Sequence, residues 1–189
     1  SGAAERKTNF IYTCYNNQAY GNTGLQRSGA TPFGAYTTTT PSGKREFPKP
    51  MARIMAEHDI PYVAVICASY PRLVFDTYRK ARDIVGTRYI EMLVPCPTGW
   101  RFPGAKSIEM GRLAVETGAW IMWEKEGEEW RFLDRSKLIA EGKVARRPLM
   151  DYLKPQGQFH TLLERPELVA QFEKWVDREW DVMKRRVGC

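Results

Sequence analysis

The sequence predicts a three-layer α/β fold: a parallel sheet with helices on both faces, followed by an appended tail of helices and a hairpin. Three observations carry this. Phe10–Tyr15, Tyr62–Ala68 and Arg88–Val94 are short apolar runs, as strands read when both faces are covered. The first interval between them ends in a helical pattern and the second is filled by one, which gives a βαβαβ rhythm with right-handed crossovers. After Cys96 the rhythm stops, and a hairpin and amphipathic helices replace it.

The elements follow in order. Ser1–Lys7 reads as the end of a helix, and Phe10–Tyr15 as a buried strand. A polar loop then runs from Asn16 to about Pro48, a length that in a compact domain marks function. Lys49–Glu57 is helical, with Met51, Ile54 and Met55 on one side. Tyr62–Ala68 is the second strand. Pro71 suits the first turn of a helix that runs to about Val85, with Leu73, Val74, Tyr78, Ala81 and Ile84 as its apolar face and Gly86 as its stop. Arg88–Val94 is the third strand. Ala105–Thr117 is helical up to Gly118, and Ala119–Lys125 pairs with Glu129–Leu133 across Glu126-Gly127-Glu128. Val144–Tyr152 holds a basic patch and a short helical pattern. In Pro166–Arg186, Val169, Phe172, Val176, Trp180 and Met183 recur at steps of three and four, which puts them on one helical face. The expected division is residues 1–104 for the α/β part and 105–189 for the extension.

A chain of 189 residues can bury a real core. With 43% hydrophobic and 27% charged residues, it is neither disordered nor membrane-like in composition. No apolar run reaches spanning length, and SGAAERKTN has no signal core, so a cytoplasmic protein with no membrane partner is expected. The net charge of +7 admits either nucleic acid or an acidic partner. The basic residues are spread out and no nucleic-acid-binding motif occurs, so an acidic redox partner or another subunit is the expectation. The two histidines, His58 and His160, read as surface residues. The cysteines Cys14, Cys67, Cys96 and Cys189 form no C-x-x-C pair. Cys14 and Cys67 lie in apolar runs as small buried groups. Cys96 stands between two prolines at a strand end, on a turn that can expose its thiol.

The loop CYNNQAYGNTGLQRSGATPFG, from Cys14 to Gly34, carries the chemistry. The strand empties at its carboxyl end into amides, threonines and glycines, where α/β sheets place ligands. Neutral Asn and Thr oxygens suit Mg2+ that already carries phosphates. Gly21, Gly24 and Gly29 allow backbone N–H groups close to an anion. An ordinary polar turn has the same composition, and the residues alone leave both readings open.

Two motifs narrow the choice. Asn16-Asn17-Gln18-Ala19-Tyr20-Gly21-Asn22-Thr23-Gly24-Leu25-Gln26-Arg27-Ser28, followed by Thr31-Pro32, resembles the thiamine-diphosphate loop D-N-E-A-Y-x-N-T-G-x-Q-R-S-x-x-T-P of the 2-oxoacid:ferredoxin oxidoreductase beta subunits. Leu93-Val94-Pro95-Cys96-Pro97-Thr98-Gly99-Trp100 is similar to the A-P-C-P-T-G-W of the same family. The likeness runs from Ser1 to about residue 153.

The resemblance implies a three-layer, parallel-sheet, thiamine-diphosphate-binding domain. By it, Asn17 through its side-chain oxygen and Ala19 through its carbonyl are Mg2+ ligands. Asn16, Tyr20, Thr23 and Gly24 line the cofactor, and Asn22 lies at its reactive face in a catalytic, orienting role. Cys96 becomes one ligand of a [4Fe–4S] cluster whose other three thiolates lie outside this sequence. The implied reaction is oxidative decarboxylation of a 2-oxoacid, most simply pyruvate, with coenzyme A, electrons passing to ferredoxin within a complex of several subunits. Asn16 and Gln18 replace an acidic pair of the family pattern. The family's upstream G-D-G, whose Asp also binds Mg2+, is absent from the 15 residues before Asn16. The implied domain is therefore truncated at its N-terminus, and the chain is not expected to be active alone. A non-oxidative thiamine-dependent decarboxylase and a non-catalytic docking module are the alternatives. Cys96 separates the first, since decarboxylation needs no cluster.

Overall fold

The computed structural model describes residues 2–189. In chain order its elements are α1 (Gly2–Glu5), β1 (Phe10–Asn16), α2 (Met51–Ala56), β2 (Tyr62–Cys67), α3 (Pro71–Asp83), β3 (Thr87–Leu93), α4 (Pro97–Trp100), α5 (Ser107–Glu116), β4 (Trp123–Glu126), β5 (Glu129–Phe132), α6 (Asp134–Ala140), α7 (Met150–Leu153), α8 (His160–Leu163) and α9 (Pro166–Val187). Ser1, read above as part of the first helix, lies outside the described residues.

The sheet order is β1-β3-β2-β4-β5. β3 pairs in parallel with both β1 and β2, as the alternating pattern predicts. Strands β2 and β3 are buried along their whole length, which is why their sequences are continuous apolar runs. The hairpin β4–β5 does not stand apart from the sheet. β4 pairs antiparallel with β2, and β5 with β4. Without it, the backbone of β2 would be an open edge. Polar contacts fix the join: Tyr62 donates its hydroxyl to Glu124 at 2.8 Å, and Lys80 of α3 bridges Glu124 and Glu126 at 2.8 and 2.7 Å.

Two apolar clusters make the three layers. On one face Tyr62, Ala64, Ile66, Ile90 and Met92 pack under α3. On the other, Val63, Val65, Cys67, Tyr89 and Leu93 meet α2, α5 and α9. The spacing on α9 puts Phe172, Val176, Trp180 and Met183 in this core. Trp180 stacks on Phe132 at 5.6 Å and donates its indole N–H to the Gly118 carbonyl at 3.2 Å. α5 comes so near the end of β2 that a Cβ on Gly111 would lie 2.1 Å from the Ser69 hydroxyl. This packing leaves the carboxyl ends of the parallel strands to the long segment between β1 and α2.

Candidate functional site

β1 ends at Asn16, and the chain turns at once. Gln18 adopts a left-handed backbone, φ 67°, a conformation that costs a residue with a side chain. Two hydrogen bonds hold it there. Gln18 donates its N–H to the Asn16 side chain at 2.9 Å, and its carbonyl accepts from the Thr31 hydroxyl at 2.6 Å. Ala19 likewise donates its N–H to Asn17 Oδ1 at 3.2 Å. Tyr20 and Gln26 then exchange a pair of backbone hydrogen bonds, both 3.0 Å, which close a small hairpin over Asn22, Thr23 and Gly24. All three tip residues are exposed. Gly24, at φ 104°, is where that tip needs glycine. Behind the tip, Thr38 Oγ1 donates to the Gly24 carbonyl at 2.8 Å.

The second motif packs against the first. Trp100, 1% exposed, donates its indole N–H to the Asn17 carbonyl at 2.9 Å. A Cβ on Gly99 would lie 2.9 Å from Leu25 Cδ1, so that turn presses on the loop as well. Cys96 caps α4, its Sγ accepting from the Gly99 N–H at 3.3 Å, and stays half-buried. Residues 83 positions apart thus share one end of the sheet.

A buried acid lies below. Glu91 of β3 accepts from Asn16 Nδ2 at 2.7 Å and from the Ala52 N–H at 3.1 Å. Burial pushes its carboxyl above the usual range, and the two hydrogen bonds pull it back. Asn16, Gln18 and Glu91 also reach a cavity of about 130 Å³ beneath the loop, walled by α2, α9 and residues 118–121.

Residues 1–92 match the family described as thiamine pyrophosphate enzyme, C-terminal TPP binding domain. The chain is 48% identical over 182 residues to the pyruvate synthase subunit PorB of Methanothermobacter marburgensis, covering 94% of this chain and 60% of that one. It is 38% identical over 190 residues to the ketoisovalerate oxidoreductase subunit VorB of Pyrococcus furiosus, covering 98% and 59%. Over 94% or more of its length the chain is thus similar to these oxidoreductase subunits. It spans about 60% of the length of the curated relatives it matches. A 2-oxoglutarate:ferredoxin oxidoreductase from Magnetococcus marinus aligns with a TM-score of 0.49 at 23% identity, over 59% of this chain and 45% of that one.

The residues singled out from the sequence divide by position. Tyr20, Asn22, Thr23 and Gly24 are exposed, and Asn17 and Ala19 are half-buried beside them in the chain. Asn16 instead turns inward, both ends of its amide engaged by Glu91 and Gln18. Cys67 is buried, and Cys14 is half-buried. His160 is exposed and His58 half-exposed, and His160 bonds only the Gly157 carbonyl. Sequence reasoning missed Glu91, Trp100 and Lys44 as organisers of the loop. For Glu91 a signal existed, a lone acid inside the apolar run RYIEMLV. For Lys44 none did.

The loop fits a magnesium-bound diphosphate in donor chemistry. Among the described residues no donor occupies the Ala19 carbonyl, and Asn17 Oδ1 makes a single long hydrogen bond. Both are neutral oxygens that a hard cation accepts. The loop contributes no carboxylate between Asn16 and Ser28, so balancing charge must come from the diphosphate and from elsewhere in the assembly. Among the described residues no group of three or more His, Cys, Asp or Glu is placed to hold a metal ion, so Cys96 offers a single sulfur here. Among the described residues no helix is long and apolar enough to cross a membrane.

Proposed function

We propose that this chain is the cofactor-holding part of the beta subunit of a 2-oxoacid:ferredoxin oxidoreductase, with pyruvate as the 2-oxoacid. The net reaction joins the 2-oxoacid to coenzyme A, releases CO2 and sends two electrons through iron–sulfur centres to ferredoxin. One observation carries the reading. The two family motifs meet in space, with the Trp100 indole on the Asn17 carbonyl, so that the metal-binding loop and the Cys96 turn form one unit.

Thiamine diphosphate, when bound, supplies the carbanion chemistry. This chain's residues bind and orient it. Asn17 Oδ1 and the Ala19 carbonyl hold Mg2+. The exposed tip at Thr23 and Gly24 would approach the diphosphate through the Thr23 N–H, the Gly24 N–H being held by the Gly21 carbonyl at 3.2 Å, and Asn22 presents an amide to the reacting end. Trp100 fixes the Asn17 carbonyl, which leaves the side-chain oxygen of that residue for the metal. Cys96 offers a soft thiolate, the ligand type an iron–sulfur cluster takes. The net charge of +7 suits an acidic electron acceptor.

The test uses the full-length subunit assembled with its partners. Pyruvate-dependent and coenzyme-A-dependent ferredoxin reduction is expected, and Asn17→Ala should weaken magnesium-dependent thiamine diphosphate binding by about tenfold or more, the loss of a ligand contact. Equal affinities would remove Asn17 from the site, and decarboxylation without ferredoxin reduction would replace the oxidoreductase by a thiamine-dependent decarboxylase.

A further inference from the structure

Lys44 is a lysine in an unusual place. It lies in the long segment between β1 and α2, yet it is only 2% exposed. Among the described residues it has no ion-pair partner; the nearest charges that act on it, Arg27 and Glu46, are paired with each other at 2.7 Å. A buried ammonium without a carboxylate is costly and must be held by hydrogen bonds. Its Nζ donates to the Thr31 carbonyl at 2.7 Å and the Gly29 carbonyl at 3.2 Å. Its backbone completes the attachment, donating to the Ala35 carbonyl at 3.1 Å and accepting from the Gly34 N–H at 2.7 Å. A Cβ on the preceding Gly43, at φ 83°, would lie 2.7 Å from the Gly34 carbonyl oxygen, so the two stretches are in tight backbone contact.

Thr31 passes this attachment on. Its hydroxyl donates to the Gln18 carbonyl at 2.6 Å and accepts from the Ser28 N–H at 2.9 Å. Gln18 is the residue with the left-handed backbone, and it stands between Asn17 and Ala19. The order of contacts is therefore Lys44, Thr31, Gln18, and then the two oxygens offered to the metal. A residue in a costly backbone conformation persists only where its surroundings over-determine it.

We propose that Lys44 is a positioning residue: its ammonium pins the Gly29 and Thr31 carbonyls and, through Thr31, sets the spacing of the Asn17 and Ala19 oxygens that receive the metal-bound diphosphate. The assignment rests on the reading of Asn17–Asn22 as the cofactor loop. It goes beyond that reading by placing the control of loop shape in a residue outside both motifs.

The test compares Lys44→Met and Lys44→Arg in the full-length assembled subunit. Methionine keeps the volume and removes the donors. The change relieves the desolvation cost of the buried charge but leaves the Gly29 and Thr31 carbonyls without that donor, opposing effects, so the melting temperature of Lys44→Met should stay close to wild type. Thiamine diphosphate affinity in the presence of magnesium should nonetheless fall about tenfold, the scale of losing two charge-assisted hydrogen bonds. Lys44→Arg, which keeps charge and donors, should recover most of it. Unchanged affinity in Lys44→Met overturns the proposal, as does an affinity loss that only parallels a fall in melting temperature or that arginine does not relieve. If wild type itself binds no thiamine diphosphate, the functional reading fails first. The positioning role is then decided by amide exchange across residues 18–31: faster exchange in Lys44→Met, with β2 and β3 unchanged, supports it, and equal exchange overturns it.

Discussion

Asn16 and Asn17 are adjacent and chemically identical, and the fold gives them opposite tasks. In an extended strand neighbouring side chains point to opposite faces. Asn16 therefore turns down to Glu91 while Asn17 stays with the loop. The same reasoning separates the cysteines. Cys67 is buried in β2 with its thiol toward the Gly111 carbonyl at 3.6 Å, whereas Cys96 caps a short helix beside the loop. Cys96→Ser in the assembled enzyme should alter the iron–sulfur spectrum and slow ferredoxin reduction while thiamine diphosphate binding survives; an unaltered spectrum would end the role of Cys96 as a ligand. Cys67→Ser should leave that spectrum intact. Lys44 supplies a pH-dependent case. Burial first, and Arg27 second, push its ammonium down to about 8 from an ordinary 10.5. The folded state thus binds fewer protons than the unfolded state between these values, so stability rises with pH across that window. Wild type should gain stability relative to Lys44→Met from about pH 8 to about pH 10.5 in denaturant titrations, and a constant difference would contradict the burial of the charge.

At the scale of elements, β2 and β3 were legible because burial on both faces leaves an uninterrupted apolar run; β1, read as buried, is instead a half-exposed edge strand with Tyr12 and Tyr15 exposed, because no further strand covers its outer side among the described residues. The helices were legible from apolar spacing and from glycine stops such as Gly86 and Gly118, both at positive φ. The attachment of the hairpin was not. Nothing in Trp123–Glu126 names β2 as its neighbour, because edge pairing is decided by which strand is left open and by the Lys80 bridges, which join residues far apart in sequence. The loop motif was legible as a pattern, but its supports were not. Trp100 reaches a carbonyl 83 residues away, and Lys44 reaches two carbonyls; such contacts to backbone leave no trace in residue type. The seam between α5 and β2 tests the packing directly. Gly111→Ala would force its methyl into Ser69 and should cost ~1–3 kcal/mol in denaturant unfolding, the range for overpacking. A neutral result would mean that α5 can shift away from the sheet.

For the molecule as a whole, the strand order has a consequence in time. Among the described residues β1 pairs only with β3, and the register joins Phe10 to Thr87 and Asn16 to Leu93. Its partner is therefore made some 77 residues after it, with β2 and α3 in between. Closing so large a loop is entropically costly until β2 and β3 have formed a template. The Trp100 contact lies later still in the chain. Pulsed amide labelling during refolding should show β2 and β3 protected before β1 and residues 17–28, and simultaneous protection would refute this order. β1 and the glycine-rich segment after it are thus made before β2 and β3 yet take shape after them, and they wait unstructured while that part of the sheet is assembled.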